Sequence, residues 1–261
     1  MKQMLHLWIA ILCAPSVVFP NTLREAFQAC ERDLSVALVY QQKVNDSWNN
    51  VHYDYCMDSV ETLNYLQLLH AQYLKYPKGY FHKARVDTIV LCKNLSYGPQ
   101  NRAAIPDPYK GYLFLAIDGA YNNHTKEYLI YVMHHELQHC TEYAIWNNMY
   151  YRWKAWQKAN PCFFRYGHGG VTAYSKLDID WGGMTHPRKG LINLYATTGQ
   201  EEDRSELMAI LMTETEHASL LQLAKRDRRL RKKLDLLVEL LNDFTGTTDS
   251  FWTRAWPAKK A

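Results

Sequence analysis

The sequence predicts an α+β domain, mostly helical, with a small sheet beside one long helix. Three observations predict it. Five stretches keep apolar residues at helical spacing, over residues 22–44, 59–76, 126–147, 201–225 and 228–244. Strand-like runs are confined to residues 86–92 and 112–118, with one more expected near 170–174. The chain has 261 residues, 48% of them hydrophobic, which is enough to bury a core, and it shows no repeat and no low-complexity linker. It divides into a leader over residues 1–20, an N-terminal helical segment over 21–55, a main domain over 56–225, and a basic C-terminal helix and tail over 226–261.

Residues 1–20 carry one lysine, Lys2, and then an apolar run broken by His6, Pro15 and Ser16. That run is too short and interrupted to span a membrane. It has the form of a secretory leader, with small residues at Ala14 and Ser16 for cleavage, and predicts a secreted or periplasmic protein. Six cysteines are present, and removing the leader with Cys13 leaves five. One or two disulfides are expected, with Cys30–Cys56 and Cys140–Cys162 as the pairs considered and Cys92 a buried thiol. No C-x-x-C pair occurs, so a cysteine-held metal is not expected.

Past the first two helices, Val86-Asp87-Thr88-Ile89-Val90-Leu91 and Tyr112-Leu113-Phe114-Leu115-Ala116 are rich in β-branched and aromatic residues and read as strands. A turn follows at Gly119-Ala120-Tyr121-Asn122-Asn123. The long helix then starts after Thr125 or Asn123 as cap, with Glu127 in its first turn. Trp146, Tyr150, Tyr151, Trp153 and Trp156 cluster where it ends, and packing is the default reading of such aromatics. The run Lys225-Arg226-Asp227-Arg228-Arg229-Leu230-Arg231-Lys232-Lys233 reads first as a solvated helix face or helix junction, with contact to nucleic acid or anionic lipid as the alternative. Net charge is only +4 and no nucleic-acid fold signature accompanies the run, so no nucleic-acid partner is expected.

The long helix carries the most informative stretch, His135-Glu136-Leu137-Gln138-His139. Histidines four apart share a helical face, so both imidazoles reach one metal ion. The glutamate beside the first histidine then stands next to the ion's open position, where it can act as a base. A catalytic zinc needs a third protein ligand. A glycine at 142 with a histidine at 145 would supply one, but Glu142 and Ile145 stand there. A later carboxylate remains, and Glu202 and Glu206 lie four apart on one predicted helical face. Either could bind the ion while the other accepts a hydrogen bond from a ligating histidine. His134 points about 100° away from His135 around the helix and is not expected to be a ligand. His168, in Gly167-His168-Gly169-Gly170, reads as a surface histidine in a glycine-rich loop.

The pairing of H-E-x-x-H with the downstream Glu202-Asp203-Arg204-Ser205-Glu206, and Tyr195 seven residues before Glu202, resembles zinc metallopeptidases of the gluzincin group, the anthrax lethal factor-like families among them. The resemblance spans about residues 57–215 and includes Leu66 to Pro77, Gly79-Tyr80 and the 86–91 strand. It implies a zincin-like fold, a Zn2+ cofactor and a peptide or protein substrate. It makes His135, His139 and Glu202 the ligands, Glu206 the acid that orients a ligand, Glu136 the general base and Tyr195 the oxyanion donor. Ser205 stands where such families usually carry alanine, and about twenty residues separate Gly169-Gly170-Val171-Thr172-Ala173-Tyr174-Ser175 from the glutamates. Tyr174 is therefore a rival to Tyr195. The alternative to an enzyme is a non-catalytic exported binding protein with a retained metal site.

Overall fold

Thr22 opens the first helix with a capping box, accepting from the Glu25 amide while the Glu25 carboxylate takes the Thr22 amide. A computed structural model describes residues 22–120, 125–170 and 183–256. The expected leader at 1–20, residues 171–174 of the expected strand and with them Tyr174 lie outside the described residues.

The helices are α1 (Leu23–Leu34), α2 (Ser59–Tyr73), α3 (Tyr80–Lys83), α4 (Lys126–Trp146), α5 (Lys154–Ala159), α6 (Gln200–Met212), α7 (His217–Arg226), α8 (Arg228–Thr245) and α9 (Phe251–Ala255). The strands are β1 (Ala37–Val39), β2 (Val51–Asp54), β3 (Thr88–Tyr97), β4 (Gln100–Asn101), β5 (Ala104–Asp107) and β6 (Tyr112–Ala116). The fold is α+β, with helices surrounding a small mixed sheet.

The sheet runs β1-β3-β6-β5. β1 and β6 lie parallel to β3, with Leu38 and Leu113 both opposite Ile89. β5 closes one edge antiparallel to β6, with Ile105 opposite Phe114. The far half of β3 pairs antiparallel with β2 and β4. Side chains of β3 alternate as a strand requires. Ile89 and Leu91 enter the large core beneath the helices, while Val90 and Cys92 enter a smaller one with Val51, Leu95 and Phe114.

Four sequence expectations are corrected. The first helix stops at Leu34 instead of 44, because Ser35 takes a left-handed conformation (φ 56°) and residues 37–39 join the sheet. The helix expected over 201–225 breaks at Thr213 and Glu214–Glu216, so α6 and α7 are separate. β2, β4 and β5 were not expected. Cys30, Cys56, Cys92, Cys140 and Cys162 are all free. Cys30 turns its sulfur toward the Leu66 carbonyl 3.9 Å away, and Cys140 is buried inside α4 while Cys162 is exposed. Neither expected disulfide forms.

α4 and α6 pack against each other at the centre. Thr125 caps α4 by accepting from the Tyr128 amide, and Asn147 ends it in a left-handed conformation. Every residue of α6 is buried. Its acids do not face solvent, and Glu202, Asp203 and Glu206 find partners inside. Asp203 receives the Lys233 ammonium at 2.5 Å, the Trp156 indole at 2.8 Å and the Tyr166 hydroxyl at 2.5 Å. Arg204 forks onto Glu142 of α4 at 2.6 Å through both Nε and Nη2.

Candidate metal centre

The α4–α6 contact brings three donor atoms together. Nε2 of His135 lies 3.1 Å from Nε2 of His139 and 3.1 Å from Oε2 of Glu202, and His139 Nε2 is 3.3 Å from the same oxygen. Zinc bonded at about 2.0–2.1 Å in tetrahedral geometry holds its ligand atoms about 3.3 Å apart. The triangle therefore fits one small ion. Two imidazole nitrogens and a carboxylate oxygen are also a donor set that transition-metal ions favour. Among the described residues, this is the one cluster of histidines, cysteines and acids that could hold a metal.

The electrostatics point the same way. Burial works against charge on His135 and His139, yet the neighbouring carboxylates outweigh it and hold both imidazoles above their ordinary range. Burial also works against charge on Glu202, but His139 and His135 hold its carboxyl far below the usual carboxylate range. The cluster is thus a buried anion that recruits positive charge, which protons or a cation can supply.

Nδ1 of His135 lies 2.8 Å from Oε1 of Glu206, as an ion-pair contact and not an aligned hydrogen bond. Glu206 in turn accepts from Asn193 Nδ2. The His135 ring stacks on Tyr195, with centroids 5.8 Å apart and planes at 28°. Tyr195 belongs to a 3-10 turn over Tyr195–Thr197 that leads directly into α6. The ring and the carboxylate leave His135 little freedom to turn.

Glu136 is partly exposed and, with Tyr195, His139 and Glu202, lines a cleft of about 470 Å³. β5 supplies Ala104, Ile105 and Pro106 to its wall. Burial pushes the Glu136 carboxyl up, although His135 and His139 pull it down. A carboxylate raised toward neutrality beside a metal site suits proton transfer. The Tyr195 hydroxyl is pushed well up by burial and then by Glu202, so it stays protonated and can donate. A larger cavity of about 650 Å³ opens between α2 and the start of α4 and includes none of these donors.

All six residues expected at the site therefore gather here. His134 does not. It is fully buried, lies 2.9 Å from the Tyr76 hydroxyl through Nδ1 and 3.2 Å from the Gln72 side-chain oxygen through Nε2, and burial holds it well below the ordinary imidazole range. His168 is exposed, as expected, and also lines the cleft.

Sequence reasoning missed Gly170. A Cβ built there would stand 2.6 Å from the Tyr195 hydroxyl and closer still to a Glu202 oxygen. The loop is held in place by the Gly167 and Gly169 amides donating to the Thr197 and Thr198 carbonyls at 3.1 and 2.7 Å. The paired glycines were the available signal. Glu142 and Asn193 were also missed, and nothing local marks them.

No protein-family model, no curated protein and no solved structure matches this chain.

Proposed function

We propose that the protein is a zinc-dependent peptidase with a zincin-like fold. His135, His139 and Glu202 would hold the ion, and Glu206 would fix the orientation of His135. The observation that carries the reading is the three-donor triangle, which opens onto a cleft where Glu136 and Tyr195 both stand. Bound zinc supplies a Lewis acid and lowers the pKa of water to near 7.

The chain's own residues do the rest. Glu136 takes a proton from the attacking water and passes it to the leaving amine. Tyr195 donates a hydrogen bond to the oxygen that gains negative charge during attack. The walls of the cleft hold an extended peptide and limit access of bulk water. Export through the leader belongs to the same proposal.

The test compares wild type with Glu136→Gln for zinc content and for cleavage of a peptide library. One zinc in both proteins, with cleavage lost only in the variant, is the expected result. Zinc in both with no cleavage by either would move the assignment to a metal-bearing binding protein. An absence of zinc from wild type would remove the metal reading itself.

A further inference from the structure

Charge is distributed unevenly in this protein. Residues 154–165, 183–190 and 225–232 together hold eleven lysines and arginines against one acid, which leaves the rest of the chain with 19 against 25. That acid, Asp227, is buried and points inward. It caps α8 and accepts from the Gly190 amide and His186 Nε2.

The three segments are remote in sequence and meet in the fold. Arg229 of α8 reaches the carbonyls of Ala159 and Asn160 at the end of α5. Gly190 lies so close that a Cβ there would stand 3.0 Å from that of Arg229. Arg188 lies over the Phe164 ring at 5.5 Å. With Arg229 and Arg231 occupied by backbone carbonyls, the exposed cations remain. Lys154, Lys158 and Arg165 come from the first segment and Arg188 and Lys189 from the second. Lys225, Arg226, Arg228 and Lys232 come from the third. Among the described residues, none of these nine forms an ion pair.

An aromatic ring stands at the edge of this face. Phe163 is 88% exposed and takes φ 68°, a conformation that a bulky residue rarely adopts. The loop holds it there through the Phe164 amide, which donates to Pro161 O at 3.1 Å. A strained backbone that presents an apolar ring to water points to a binding role.

We propose that this face docks on an anionic lipid surface, with its lysines and arginines against the phosphates and Phe163 entering the headgroup layer. A membrane rewards both features, since cations near an anionic leaflet and buried apolar area add to the affinity. A nucleic-acid backbone would use the charge but offers no apolar layer to a lone ring at a loop apex. Arg165 also lines a recess that shares Tyr150, His168, Gly169 and Glu201 with the metal-site cleft, so docking would set the cleft mouth beside the lipid. The proposal stands apart from the catalytic reading.

The test is cosedimentation of the full chain with phosphatidylcholine vesicles, with and without phosphatidylglycerol. Binding is expected only with phosphatidylglycerol, falling as salt rises. Arg188→Gln/Lys189→Gln/Arg228→Gln should weaken it by about a hundredfold, each cation contributing about fivefold. Phe163→Ser should weaken it by about tenfold and Phe163→Trp should restore it, with thermal unfolding unchanged in all variants. Equal binding to pure phosphatidylcholine, no binding at low salt, or tighter binding to a DNA duplex or single strand than to the anionic vesicles would each overturn the proposal.

Discussion

Arg204 and Glu142 are fused into a bidentate pair with neither side chain exposed to solvent, Nε and Nη2 each 2.6 Å from a carboxylate oxygen. The pair ties α6, which carries Glu202, to α4, which carries His139. Trp146 and Trp156 cover the guanidinium at 4.9 and 5.9 Å.

Arg204→Met should therefore destabilise the protein by about 3–5 kcal/mol, because it strands a buried carboxylate. The double variant Arg204→Met/Glu142→Leu should recover much of that loss, since two apolar side chains leave no charge unpaired. Urea unfolding measures both, and additive losses in the double variant would refute the coupling.

Gly170→Ala should leave the fold intact and weaken zinc binding by about tenfold or more, comparable to disturbing a group that supports a ligand. The added methyl would push on Glu202 and on the Tyr195 hydroxyl. Chelator competition reads the affinity, and an unchanged value would show that the loop yields.

Glu202→Ala and Glu206→Ala should differ in kind. The first removes a donor and should abolish tight binding. The second loosens the hold on His135 Nδ1 and should cost about 10- to 100-fold in affinity. Equal losses would remove the distinction between ligand and support.

Without metal, the cluster should stabilise the fold most at mildly acidic pH. His135 and His139 are raised above their ordinary 6.5, so their contribution is complete below about that pH and is lost as pH rises through their folded values. Glu202 is depressed below its ordinary 4.5, so its contribution is complete above that value and is lost as pH falls through the folded one. Zinc competes with the protons on the histidines, so its stabilisation should grow with pH. Thermal unfolding from pH 5 to 8 with and without zinc checks this, and a pH-independent increment would contradict it.

Where the signals were local, the sequence was readable. The α4 bounds follow from Thr125, Glu127 and a continuous apolar pattern, and the strands at β3 and β6 from dense β-branched and aromatic runs. The break after α6 was hidden because apolar spacing resumes at Leu220 and Ala224, so periodicity alone carries through Thr213. β5 contains Pro106 and exists only because β6 lies beside it. At the site, the motif histidines and the Glu202–Glu206 pair were visible as spacings. The burial of α6 was not, because Lys233, Trp156 and Glu142 satisfy its charges from far along the chain. The same distance hid the basic face, two of whose three segments are unremarkable alone.

Glu202, the proposed ligand from α6, lies 67 residues beyond His135. A ribosome that has delivered α4 has delivered two of the three proposed donors, no more than any pair of histidines four apart on a helix offers. On the proposed assignment, capture of an ion waits until α6 has emerged and packed, loading is a late event in the protein's life, and a chain truncated before residue 202 lacks the third donor.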